Sequence, residues 1–307
     1  MSRIHEALKK AEQERAGSQA GQPIVTPTRD SWPVEAPAAV IEAPGNGAAR
    51  VQSVPTVPPV TATDEMLLTR AAQRQWSPDA KTMLFFGAEV NPRWTEQFRT
   101  LRSRFYSMRE RMPLRSILVA SALPKEGKSF VAANLAQVLA RQQGRRVLLI
   151  DGDMRVPSLH STLGTTSFPG LADYLLGEAD EFSIMQRGSM ENLFFVPSGR
   201  TVEHPAELVN NGRLGLLLQR VGHLFEWVIV DSPPAVPVSD ASQLSQYCDG
   251  VLMVVRSNST PYDTAQRAQR EFQGKVMIGA VLNGTMPDGA YARYAYETYE
   301  KPVQQKN

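Results

Sequence analysis

Short apolar runs recur through the later two-thirds of the chain: SILVAS at 116–121, VLLID at 147–151, LFFVPS at 193–198, WVIVDS at 227–232, GVLMVV at 250–255 and MIGAVLN at 277–283. Between most of them lie amphipathic or polar stretches of 10–20 residues. Unbroken apolar runs of this length read as strands buried on both faces. Their alternation with helical stretches predicts an α/β fold: a mostly parallel central sheet with helices on both faces.

Ahead of residue 82 this pattern fails. Residues 1–16 read as a short helix, capped by Ser2, with Ile4, Leu8 and Ala11 on a narrow stripe. Such a helix is marginal alone, so it is either a frayed tail or a docking helix for a partner. Eight prolines between Pro23 and Pro59, set among Ala, Val, Thr, Gly and Gln, mark residues 17–81 as an extended, disordered linker. The folded domain is therefore expected over 82–286, with a short tail at 287–307. Near its start, Trp94, Phe98, Leu101, Phe105, Met108 and Met112 step by four and three and make one apolar helix face. Glu96 and Arg99 lie away from that face and Arg102 lies nearer its border. On physics alone they read equally well as a solvated charged surface.

Composition narrows the setting. A single cysteine, Cys248, excludes an internal disulfide framework and suits a reducing compartment. With no partner histidine nearby, it reads as a small core residue rather than a nucleophile. No apolar run approaches the ~18 residues that span a bilayer, and the N-terminus has no signal-peptide core. The expectation is a cytoplasmic protein whose membrane link comes through a partner. A net charge of +2 gives no footprint for nucleic acid, and the arginines from 99 to 115 read as a solvated face or a surface for an acidic partner.

The chemistry is concentrated at three strand ends. After SILVAS comes A-x-x-x-x-G-K-S, from Ala122 to Ser129, opening a helix. This is a phosphate-binding loop with alanine in place of the usual first glycine. Its backbone N–H groups (Ala122, Pro124, Lys125, Glu126, Gly127, Lys128, Ser129 and Phe130 form the segment) surround a helix N-terminus and suit phosphate oxygens. Proline contributes only shape. Lys128 is expected to neutralise the β- and γ-phosphates, and the Ser129 hydroxyl to reach Mg²⁺. The next strand ends in Asp151 and Asp153, and the strand WVIVD ends in Asp231, in the place of a Walker-B aspartate. Carboxylates grouped there are costly unless they meet a cation or take up a proton. ATP and Mg²⁺ are the expected ligands. Asn283, ending the last strand, is a candidate for reading the base. Eukaryotic-type kinase signatures are missing.

SALPKEGKS, LLIDGDMR and VIVDSPP together resemble the Walker A, A′ and B motifs of the bacterial tyrosine kinases, the capsular and exopolysaccharide autokinases. That family shares a P-loop branch with the ParA/MinD ATPases. Those carry an extra lysine early in the loop, where this chain has Leu123. The likeness runs from about 85 to 299 and includes E-x-x-R-x-x-R at Glu96, Arg99 and Arg102, which the resemblance reads as a self-association motif building a ring of subunits. It departs at His204, where the family commonly has asparagine.

The resemblance also gives a meaning to GAYARYAYETYEKPV, which holds four of the chain's eight tyrosines. Tyr291, Tyr294, Tyr296 and Tyr299 stand where the family carries an autophosphorylated cluster. Read structurally, they could instead lie near one face of a packed terminal helix. The resemblance implies γ-phosphoryl transfer to a tyrosine of a neighbouring subunit. Lys128 would hold phosphate, and Ser129, Asp153 and Asp231 the metal, while Asp151 would accept the phenol proton. It implies a split cytoplasmic kinase at the inner membrane, activated by a separate polysaccharide copolymerase-type membrane protein and reversed by a protein-tyrosine phosphatase. Two readings compete with this one: a ParA/MinD-like positioning ATPase, and a scaffold that binds ATP without catalysis.

Overall fold

A computed structural model of the protein describes residues 62–86 and 92–285. The expected helix at 1–16, the linker as far as residue 61 and the four tail tyrosines lie outside the described residues.

Eight strands form one sheet. In chain order they are β1 (Ala72–Gln73), β2 (Ser116–Ser121), β3 (Val147–Asp151), β4 (Gln186–Arg187), β5 (Leu193–Val196), β6 (Trp227–Asp231), β7 (Gly250–Arg256) and β8 (Met277–Asn283). Their order across the sheet is β1-β4-β5-β3-β6-β2-β7-β8. Every pairing is parallel except β4 with β5. The six expected runs are the six long strands, which confirms the mostly parallel α/β sheet. LFFV stops at Val196 because Pro197 has no N–H to continue the ladder.

Residues alternate between two cores, as the pleat requires. Leu118, Leu148, Phe194 and Val230 face one side, and Ile117, Leu149, Phe195 and Ile229 the other. The second side is covered by the helices Pro92–Arg109 and Lys128–Ala140. Lys128–Ala140 is buried from Val131 to Ala140, which makes it a core helix rather than an amphipathic one. Its small residues (Ala132, Ala133, Ala136, Ala140) let it lie close to the sheet.

The fold begins earlier than the linker composition of residues 17–81 predicts. Residues 62–81 belong to the fold. Thr63 caps the helix Asp64–Arg70 by accepting the Met66 N–H at 3.3 Å. β1 then adds an edge strand beside β4. Thr82–Phe85 crosses the helix Lys128–Ala140 on two fully buried amides. Asn134 accepts from the Leu84 N–H (2.9 Å) and donates to the Thr82 carbonyl (2.8 Å), while Gln137 accepts from the Phe85 N–H (3.2 Å). Composition hides residues 62–81 because their helix has only seven residues and β1 only two, too short to show a period.

The helix Pro92–Arg109 buries Thr95, Phe98 and Phe105, with Leu101 and Met108 half-buried. The expected apolar face holds from Phe98 to Met108 but not at its two ends: Trp94 stays 45 % exposed and meets the Phe130 ring edge-on, and Met112 lies beyond the helix, which ends at Arg109, though it still packs on the same core.

Candidate active site

The parallel strands end together, and the ends of β2, β3 and β6 bring the predicted residues to one place. β6 lies between β2 and β3, with Asp151 directly opposite Asp231 in register. Asp151 and Asp231 are fully buried and Asp153 nearly so. Lys128 Nζ lies 3.1 Å from Asp153 Oδ2 and 3.4 Å from the Ser129 hydroxyl. Lys128, Ser129, Asp151, Asp153 and Asp231 therefore form one cluster.

The three carboxylates differ in how they are satisfied. Asp151 Oδ1 accepts from the Asp153 N–H (3.3 Å) and Oδ2 from the Leu159 N–H (3.1 Å). Asp153 Oδ1 accepts from the Val156 N–H at 3.0 Å, leaving Oδ2 for Lys128. Both oxygens of Asp231 are buried without a hydrogen-bond partner. The Ser129 hydroxyl and the Ser232 N–H lie near enough to favour its charge, but neither meets hydrogen-bonding geometry.

Burial is the main electrostatic influence. It pushes the Asp151 carboxyl up to about 8, with the neighbouring Asp231 adding to the effect. Burial also raises Asp231, to about 6, against the opposing pull of Lys128. Burial opposes the charge on Lys128 too, yet Asp231 and Asp153 outweigh it and hold its pKa above the ordinary lysine value. Burial thus makes the Asp151 and Asp231 carboxyls more basic than ordinary aspartates. The unpartnered buried Asp231 carboxylate, with the Ser129 hydroxyl and Asp153 close by, offers the hard oxygen donors that magnesium takes, so these oxygens fit magnesium, while Lys128 is left for phosphate.

The loop between β2 and the helix Lys128–Ala140 supplies the other half. Gly127 has φ +95°, and a Cβ there would come within 2.0 Å of Asn283 Nδ2. Lys125, which has a side chain, is also left-handed at φ +65°. Ala122 is buried, Pro124 and Lys125 are exposed, and Glu126 is only 3 % exposed. Phe130 turns its ring toward Phe98, away from the loop. Asn283 comes to this loop, but both ends of its amide are engaged: Nδ2 donates to the Glu126 carbonyl and Oδ1 accepts from the Gly284 N–H, each at 2.9 Å. His204 is exposed at the start of the helix Pro205–Val209 and does not cap it. Sequence reading gave no role to Arg155, which grips the buried Asp240 through two hydrogen bonds of 2.7 and 3.0 Å beside the cluster.

Of the three expected self-association residues, Glu96 and Arg99 form an exposed pair at 3.2 Å. Arg102 turns inward and donates to the Val138 carbonyl at 3.2 Å. Among the described residues, no helix is long and apolar enough to cross a membrane.

Residues 117–296 match the family model of the CobQ/CobB/MinD/ParA nucleotide binding domain. The fold and the loop thus define a nucleotide-binding domain of that class. The tyrosine-protein kinase YwqD of Bacillus subtilis is 34 % identical over 192 residues, covering 62 % of this chain and 81 % of YwqD. The tyrosine-protein kinase wzc of Salmonella typhimurium is 31 % identical over 208 residues, covering 67 % of this chain but only 29 % of that longer protein. Among solved structures, the kinase domain of the Escherichia coli tyrosine kinase ETK superposes with a TM-score of 0.58 at 28 % identity, covering 63 % of this chain and 78 % of that one. The chain belongs to the bacterial tyrosine kinase family.

Proposed function

We propose that this protein transfers the γ-phosphoryl group of ATP to tyrosine hydroxyls, its own tail tyrosines Tyr291, Tyr294, Tyr296 and Tyr299 among them, and so regulates capsular or exopolysaccharide synthesis and export. The observation that carries the reading is Asp231, a buried carboxylate with no partner, set beside Lys128 and Ser129 where the phosphate loop enters its helix. Family membership supports tyrosine as the acceptor.

In this reading the loop N–H groups from Ala122 to Phe130 bind the phosphates, Pro124 contributing shape alone. Lys128 leaves Asp153 and turns to the β- and γ-phosphates. Ser129, Asp153 and Asp231 hold the magnesium, which supplies neutralisation of the phosphate charge. Asp151, in its deprotonated form, accepts the phenol proton. A carboxylate made more basic by burial is better matched to a phenol of pKa about 10 than an ordinary aspartate is. Asp151 Oδ2 accepts the Leu159 N–H and keeps a second lone pair for the proton. Asn283 serves the site by shaping the loop, since its amide is already engaged there.

Transfer takes place between neighbouring subunits of a ring, in which the exposed Glu96–Arg99 pair meets the next copy. Each tail phosphate adds about −1.5 to −2 charges, and several on one tail repel each other and loosen the assembly. A membrane protein of the polysaccharide copolymerase type recruits the kinase to the inner membrane and activates it, and a tyrosine phosphatase resets it. Nucleic acid has no part in this cycle. The positioning-ATPase reading is disfavoured by Leu123, which stands where the ParA/MinD relatives carry a second lysine.

The test is a mixing experiment. Wild-type protein and a size-tagged Lys128→Met variant are incubated together with Mg–ATP and the activator's cytoplasmic segment. Phosphotyrosine on the Lys128→Met chain is the expected result. ATP hydrolysis without phosphotyrosine on either chain would instead support a positioning ATPase.

A further inference from the structure

The phosphate loop carries a left-handed lysine, Lys125, and such a conformation persists only where its surroundings hold it. The residues that hold it come from the far side of the site. Arg256, the last residue of β7, donates from Nη1 to the Lys125 carbonyl at 3.0 Å. Thr260, in the turn after β7, donates its hydroxyl to Glu126 Oε1 and accepts the Arg256 N–H at 3.1 Å. The same hydroxyl therefore works in both directions, which fixes its orientation. The other oxygen of Glu126 accepts the Leu123 N–H at 2.7 Å, so the carboxylate closes the loop upon itself. Glu126 is 3 % exposed and makes no ion pair among those described.

We infer that Thr260, with Arg256 in support, is a positioning residue that holds the phosphate loop in its binding shape through Glu126 before nucleotide arrives. The inference rests on the reading of this loop as the nucleotide-phosphate site. The physical argument is pre-organisation. A loop already in its binding shape loses little conformational entropy on binding, and a buried carboxylate deprived of its hydroxyl partner reorganises to find another. Thr260 stands apart from the phosphate cradle itself and acts through Glu126. Its loss is therefore felt as weaker nucleotide binding, not as lost chemistry.

The experiment measures Mg–ATP affinity by calorimetry and tyrosine phosphorylation kinetics in wild type, Thr260→Val, Thr260→Ser and Arg256→Gln. The expected result for Thr260→Val is an ATP affinity lower by about tenfold or more, the scale of a lost charge-assisted hydrogen bond. Its KM for ATP rises in step, while kcat stays within about threefold. Thr260→Ser restores wild-type affinity, and Arg256→Gln weakens binding by a smaller factor. Unchanged affinity in Thr260→Val, or an equal loss in the serine variant, overturns the inference. If Thr260→Val does not fold, Arg256→Gln alone decides, since Arg256 is exposed and its loss empties only the Lys125 carbonyl contact; unchanged affinity there overturns the inference. Failure of the wild-type protein to bind Mg–ATP would instead overturn the nucleotide-site reading beneath it.

Discussion

Lys128 Nζ sits 3.1 Å from Asp153 Oδ2, so the lysine that the phosphate reading requires is already held by a carboxylate of the same cluster. Phosphate must compete with Asp153 for it. Removing the competitor should separate the two roles of Asp153. We expect Asp153→Asn to bind ADP several-fold more tightly than wild type in EDTA, and to bind Mg–ATP more weakly. Calorimetry with and without magnesium checks both signs.

Asp231 has the opposite difficulty, a buried charge with no bonded partner. Its pKa is about 6 in the folded protein against the ordinary 3.8. Below pH 4 both folded and unfolded chains hold the proton, and there is no penalty. Between pH 4 and 6 the unfolded chain releases it first, and stability falls. Above pH 6 the deficit is fully present, on the order of 3 kcal/mol. Asp231→Asn should therefore melt higher than wild type at pH 7.5 and equal to it near pH 4, in nucleotide-free protein. It should also lose the stabilisation that magnesium and ATP give wild type. Thermal denaturation at the two pH values is the check, and an Asn variant less stable at pH 7.5 would contradict the picture.

The exposed Glu96–Arg99 pair is an i,i+3 contact of a kind worth about 0.5 kcal/mol or less within its own helix. Arg99→Glu should leave the melting temperature within about 2 °C of wild type. If the pair serves subunit contacts, the same variant should shift the assembly to monomer in sedimentation. Arg102→Ala should behave differently and cost roughly 1 kcal/mol, because it removes the hydrogen bond to Val138 that ties two helices together.

Cys248 is half-buried as a residue, and the burial around its thiol pushes the pKa up to about 12. Its thiolate is scarce at neutral pH, as expected of a core cysteine and not of a nucleophile. Alkylation by iodoacetamide in native protein at pH 8 should run roughly 10³-fold slower than at an ordinary thiol of pKa about 8.5. The rate should rise about tenfold per pH unit up to pH 9, with no plateau.

Much of this molecule was legible in its residues, for identifiable reasons. The six long strands are buried on both faces, so each appears as an unbroken apolar run. The phosphate loop and the aspartates are tied to strand ends by short spacing, and Lys128, Asp153 and Asp231 do converge. Elements stabilised by distant side chains were not legible. β1 and β4 have two residues each and show no period. The Thr82–Phe85 crossing depends on Asn134 and Gln137, some 50 residues away. Thr260 reaches Glu126 across 134 positions, with only its place after a strand end to hint at the site. Trp94 fits the helical period yet stays largely exposed, meeting the Phe130 ring edge-on.

Peptide mass spectrometry of the tail tests the central claim most directly. Cleavage after Arg293 places Tyr294, Tyr296 and Tyr299 on one tryptic peptide. After incubation with Mg–ATP and the activator's cytoplasmic segment, that peptide should carry phosphate in wild type and none in Lys128→Met. An unmodified peptide under conditions where the activator binds and ATP is consumed would contradict the account.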